Sequence, residues 1–319
     1  MNKSANRLFL LIVALFIGAS LSLRFLIPDA VLLKLPMAFT MVLSEGIILI
    51  PGLVYLRIKN IPLKVLVPFR KMKFSVWLLV IICTYLMYPL IIVLNAISLF
   101  FVKSGTGDLQ YMITSQNFFL STLLTAVLPA FAEEFIFRGI MFGSYRRSKM
   151  LGAIFLSAFL FGLMHMNFNQ FLYAFALGIY FSFLVEATGS ILSSMLAHFT
   201  VNFTSVVTTY FLLPKLERFM EEWSGGYGLL SRLSIGSLPN GMDGETAVML
   251  LMGIVVWGVI AVAALAGAWG IYVGICHITG RWEYVKGMFR RGNGQRLWSV
   301  SLVIAVALCV GMILWNAMW

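Results

Sequence analysis

Six side chains in a largely apolar sequence have the types and spacing for hydrolytic chemistry: Glu133, Glu134, Arg138, His165, His198 and Asn202. The first three sit in Pro129-Ala-Phe-Ala-Glu-Glu-Phe-Ile-Phe-Arg138, inside an apolar run from about Asn117 to Gly143. A charge near the middle of a bilayer costs about 2.5 to 3.5 kcal/mol on insertion scales, so three within six positions imply a buried site. Glu134 and Arg138 are four apart and meet on one helical face as ion-pair partners. Glu133 lies about 100° round the helix and is left free for chemistry, for a metal or for a proton. His198 and Asn202 are also four apart and share a face. A carboxylate in a partly dry cavity takes a proton from water as general base. One imidazole orients that water, and a second imidazole with an amide N–H stabilises the oxyanion, at roughly 3 kcal/mol per well-placed donor.

The same residues admit other readings. Glu133, His165 and His198 are two histidines and a carboxylate, a catalytic zinc set, although no His-Glu-x-x-His pair accompanies them. Glu134 with Arg138 also fits a purely structural pair, and Asn202 a contact between helices. A proton-coupled transporter or a toxin-binding immunity scaffold are non-enzymatic alternatives; the lack of an inverted repeat argues against the transporter. Glu45 is another acid within an apolar run and is read as structural, and Glu186 and His277 as interfacial. Cys83, Cys276 and Cys309 have no metal-type spacing and read as apolar filler, as do the 18 methionines.

The elements that must position these residues are membrane helices. Of 319 residues 61% are hydrophobic and 11% charged, with mean hydropathy +0.96. A soluble domain would carry roughly 25% charged residues. The net charge of +11 does not mark a nucleic-acid protein, because the basic residues cluster in short loops between apolar runs. The expected fold is an all-α polytopic bundle of eight to nine transmembrane helices. Apolar runs lie near 8–27, 33–56, 74–102, 117–144, 150–165, 171–186, 190–213, 247–275 and 298–318, the fifth and sixth being short. The first is read as an uncleaved helix and not a signal peptide. The chain divides into helices one to three (1–116), a core of helices four to seven (117–213), an outer connection (214–246) and C-terminal helices (247–319).

Loops 57–73, 146–149 and 281–296 are strongly basic, whereas 214–246 is rich in acids. The bias predicts a cell-membrane protein with its N-terminus cytoplasmic and, after nine spans, its C-terminus outside. The outer connection begins as an amphipathic turn or two at the interface and becomes Gly- and Ser-rich. With a hairpin turn centred near Lys149, Glu133 and His165 lie sixteen residues to either side. Both are then about 24 Å along their helices and face each other at one depth. His198 and Asn202, counted from the Ala187-Thr-Gly turn, lie about 15 to 21 Å along theirs, close enough to join them.

The motifs Glu133-Glu134-Phe-Ile-Phe-Arg138, Phe161-Gly-Leu-Met-His165 and His198-Phe-Thr-Val-Asn202, with Thr188-Gly-Ser-Ile191 before the last, resemble the CAAX protease and bacteriocin-processing (CPBP/Abi) family of intramembrane glutamic proteases. The resemblance covers about 117–212 and implies an endopeptidase acting on a membrane-associated peptide or lipidated protein, with no cofactor required. By that resemblance Glu133 with His165 activates water, His198 with Asn202 holds the oxyanion, and Glu134 with Arg138 braces the site. The family core has eight helices, so 298–318 would be an addition. Neither the substrate, a prenylated CAAX protein or a bacteriocin-type peptide, nor the oligomeric state follows from these residues.

Overall fold

Runs of Leu, Ile, Val, Phe and Met satisfy their backbone hydrogen bonds only as helices when lipid surrounds them. The computed structural model describes residues 1–28, 31, 35–102, 105–223, 244–290, 294 and 296–318. Among these there is no strand. Eight helices are long and apolar enough to cross a membrane, and a shorter apolar one, Met150–Met164, stands beside them. The chain is a multi-pass membrane protein, as composition implied.

The helices are α1 (Asn2–Leu26), α2 (Met37–Ile58), α3 (Phe74–Tyr85), α4 (Tyr88–Ser98), α5 (Thr106–Thr114), α6 (Phe118–Tyr145), α7 (Met150–Met164), α8 (Phe168–Thr188), α9 (192–223), α10 (Gly244–Ile278), α11 (Trp282–Met288) and α12 (Val300–Met318). The span expected over 74–102 is broken at Leu86 and Met87, where Pro89 in the first turn of α4 withholds a backbone N–H. The sixth span is longer than expected. Asn167 Oδ1 caps α8 by accepting from Asn169 N (2.8 Å) and Gln170 N (3.4 Å), and Gly189, at φ +68°, ends it in the left-handed conformation. Those polar first-turn residues hid its start. Beyond Leu212 the ninth helix runs on as Leu213–Trp223, longer than the turn or two expected. The rest of the outer connection, 224–243, lies outside the described residues.

The hairpin of α7 and α8 packs most intimately, and α4, α6 and α9 close round it. Half of the apolar window of α6 and 61% of that of α8 are buried, against 6% for α10, so α6 and α8 form the centre and α10 the rim. The added helix, α12, leans on α1 and α7. Polar staples tie the loops together at one end of the bundle. Asn2 Nδ2 donates to Ser148 Oγ (2.8 Å) and Arg296 O (3.1 Å), and Ser190 Oγ to Arg70 O (2.7 Å). Glu186 is not interfacial but buried there. It accepts from Tyr284 OH at 2.7 Å and lies 3.5 and 3.6 Å from Arg281 and Arg146. All the basic loops therefore meet at one end. At the other, Asn169 Nδ2 donates to Asn95 Oδ1 (2.8 Å) and Ser98 Oγ (2.7 Å). There Asn316 Nδ2 of α12 donates to the carbonyl of Met166 (2.9 Å), a residue held at φ +49° between α7 and α8.

Candidate active site

Glu133 and Glu134 lie in the middle of α6 between two stretches of wider π-type turns, Thr122–Val127 and Phe135–Met141. Pro129, which lacks an N–H, lies between them. Such turns shift the side chains that follow them and free carbonyls for other partners. Ser157 Oγ of α7 takes one, donating to Phe137 O at 2.8 Å.

The expected pair forms. Arg138 Nη1 donates to Glu134 Oε1 at 2.8 Å, with both side chains fully buried. The guanidinium lies over the rings of Phe161 and Phe181, with Cζ 4.1 and 5.1 Å from their centroids. Room for it comes from Gly178. A Cβ there would stand 2.8 Å from Ala158 and 3.0 Å from Arg138 Nη2.

His198 sits between the two glutamates. Its Nδ1 is 3.1 Å from Glu134 Oε1, and its Nε2 is 3.7 Å from Glu133 Oε2. Because the arginine-paired carboxylate is an acceptor, Nδ1 carries the hydrogen and Nε2 faces Glu133. Phe181 stacks on the ring with centroids 5.4 Å apart, which fixes its plane. His165 closes the last turn of α7. Its Nδ1 is 3.0 Å from the Phe161 carbonyl, an acceptor, so Nδ1 holds the proton and Nε2 keeps its lone pair. Asn202 Nδ2 donates to Thr125 O at 3.0 Å, and the second amide hydrogen is left over.

Glu133, His165, His198 and Asn202 all line one cavity of about 520 Å³. Glu133 is thus on one cavity wall with both imidazoles, and its direct neighbour is His198. Among the described residues no three His, Cys, Asp or Glu side chains gather as a metal-binding group. The cavity also holds a residue that the sequence reading set aside. Glu45 of α2 lines it, 7% exposed, with Oε2 lacking a protein partner. It is close enough to Glu133 for their charges to interact. An orphaned carboxylate oxygen is costly in a core and is kept where a site uses it. The only signal in the sequence was an acid within an apolar run.

Residues 115–204 match the family model of type II CAAX prenyl endopeptidases, Rce1-like. That segment is of the CPBP/Abi family. It spans α6, α7, α8 and the first half of α9, hence every one of the six residues singled out by type and spacing. No curated protein and no solved structure matches the chain. The match over that segment supports a likeness to CAAX-type intramembrane endopeptidases in general. Glu45 is contributed from outside it.

Proposed function

We propose that the protein is an intramembrane endopeptidase in which Glu133 activates water against a peptide carbonyl. The observation that carries this reading is a carboxylate and two imidazoles lining one cavity among membrane helices, each imidazole with its Nδ1 set against an acceptor oxygen. In this reading Glu133 takes a proton from a water that His165 Nε2 orients, and the water oxygen bonds to the carbonyl carbon. The C=O electron pair moves onto oxygen, where Asn202 donates. The proton crosses from Glu133 Oε2 to His198 Nε2 and then reaches the departing amine as the C–N bond breaks. Glu133 returns ionised, and no electron is transferred. Glu134 and Arg138 hold the His198 ring. No metal takes part, so activity is expected to survive chelator in full, and stoichiometric zinc with chelator sensitivity would favour the two-histidine metallopeptidase instead.

The substrate is a membrane-associated peptide or lipidated protein. The test is hydrolysis by reconstituted protein of a quenched prenyl-peptide and of a bacteriocin-leader library, comparing wild type with Glu133→Gln and His165→Ala. A loss of about 100-fold or more is expected in both, with unchanged thermal unfolding. Unchanged turnover in either variant removes that residue from the mechanism. Full in-cell function of Glu133→Gln would favour a scaffold.

A further inference from the structure

We infer that the catalytic cavity opens on the non-cytoplasmic face of the membrane and takes peptide segments presented there. The identity of the substrate as a peptide rests on the proposed protease reading; the direction of opening does not. The bundle has two chemically different ends. The N-terminus and the connections 57–73, 146–149, 186–191 and 279–299 meet at one of them, through the contacts of Asn2, Ser190 and Glu186. These segments hold sixteen of the 23 basic residues, against two acids, Glu186 and Glu283. Among the described residues, the connections and helix ends on the other side hold three basic residues, Arg24, Lys215 and Arg218, and five acidic ones, Asp108, Glu217, Glu221, Glu222 and Glu245. Short loops with an excess of Lys and Arg stay in the cytoplasm, so the sixteen-residue end faces inward.

The cavity runs the other way. From Glu133 and His198 it passes to Gly105 and Leu109 of the α5 segment and to Asn167 and Gln170 at the start of α8, all at the end away from the basic loops. None of the basic connections contributes a lining residue. Between Glu133 and the basic end α6 carries Phe137, Arg138, Met141, Phe142 and Tyr145, each no more than 1% exposed. That layer is a floor. That end of the cavity, its mouth in this inference, is lined by the neutral amides of Asn95, Asn167 and Gln170, and side-chain amides of this kind hydrogen-bond a peptide backbone without a charge. A lipidated tail finished in the cytoplasm would meet the floor, whereas an exported or outward-anchored peptide would meet the mouth.

The direction is tested by single cysteines in the full chain, the three native ones being buried. In intact bacterial cells a membrane-impermeant maleimide is expected to label Leu109→Cys and Gln170→Cys. Lys71→Cys and Lys149→Cys should react only after permeabilisation. The reverse pattern overturns the inference. The second arm uses sealed vesicles and an impermeant quenched peptide drawn from the leader library. Cleavage at least about 10-fold faster in right-side-out than in inverted vesicles is expected. Cleavage confined to inverted vesicles overturns the inference. The expected labelling with no cleavage in either vesicle type upholds the outward mouth and counts against the protease reading.

Discussion

Arg138→Met removes the cation from a pair that has no access to water, and its effect follows from the geometry. Glu134 and Arg138 are both 0% exposed, the N–O distance is 2.8 Å, and no other described cation lies within ion-pair distance of Glu134 apart from the His198 ring at 3.1 Å. Breaking a buried pair by deleting one partner costs about 3 to 5 kcal/mol, to which the lost stacking on Phe161 and Phe181 contributes. At about 1.4 kcal/mol per tenfold change, the unfolding equilibrium shifts by two to four powers of ten. Replacing both residues, Glu134→Met with Arg138→Met, removes the stranded charge and fills the space. The double variant is expected within about 2 kcal/mol of wild type, with a coupling energy of at least about 2 kcal/mol. Activity follows a different rule, because His198 Nδ1 then has no acceptor. Turnover in the double variant should remain about 100-fold down although stability has returned. The assay is unfolding in mixed micelles, followed by circular dichroism, alongside peptide hydrolysis. A loss below about 1 kcal/mol for Arg138→Met, or strictly additive single effects, refutes the buried-pair account. Full turnover in the double variant refutes the role given to Glu134 in holding the imidazole.

Gly178→Val should destabilise the bundle by about 1 to 3 kcal/mol and lower turnover, since the new Cβ is pressed against Ala158 and the Arg138 guanidinium; thermal unfolding and hydrolysis check it, and wild-type behaviour would show that Arg138 does not need that space. Glu45→Leu removes an unpaired buried carboxylate and is expected to raise stability by about 1 kcal/mol while slowing hydrolysis; a loss of stability with unchanged turnover would make Glu45 structural. Tyr284, outside the spans, has its pKa pushed up from 10.0 to about 12 by burial and by Glu186. The folded protein thus holds the phenolic proton more tightly than the unfolded chain, so this contribution is complete below pH about 10 and is lost as pH rises towards 12. Tyr284→Phe should flatten that alkaline fall in melting temperature, and an unchanged slope would dismiss the linkage.

The Glu134–Arg138 pair was legible because a separation of four fixes a helical face whatever the surroundings. Glu133 and His165 fell on one cavity for a similar reason, since equal distances from a hairpin turn set equal depth. The partner of Glu133 was harder to see. His198 bridges both glutamates on a helix that has wide turns at Thr122–Val127 and Phe135–Met141 on either side of them, and α-helical spacing does not foresee such turns. Glu45 was missed because its meaning depends on α2 packing beside α6, a contact between distant parts of the chain. The first turn of α8 was missed because its Asn169 is satisfied by Asn95 and Ser98 of α4, so its polarity did not mark a loop.

The packed layer under Glu133 has a consequence for the membrane itself. A water-filled chamber in a bilayer threatens to short-circuit the ion gradients across it, and a charged residue halfway down would make conduction easier. Here Arg138 is fully buried, with its guanidinium over the rings of Phe161 and Phe181. The chamber is a blind well, and membranes packed with this protein should stay proton- and ion-tight.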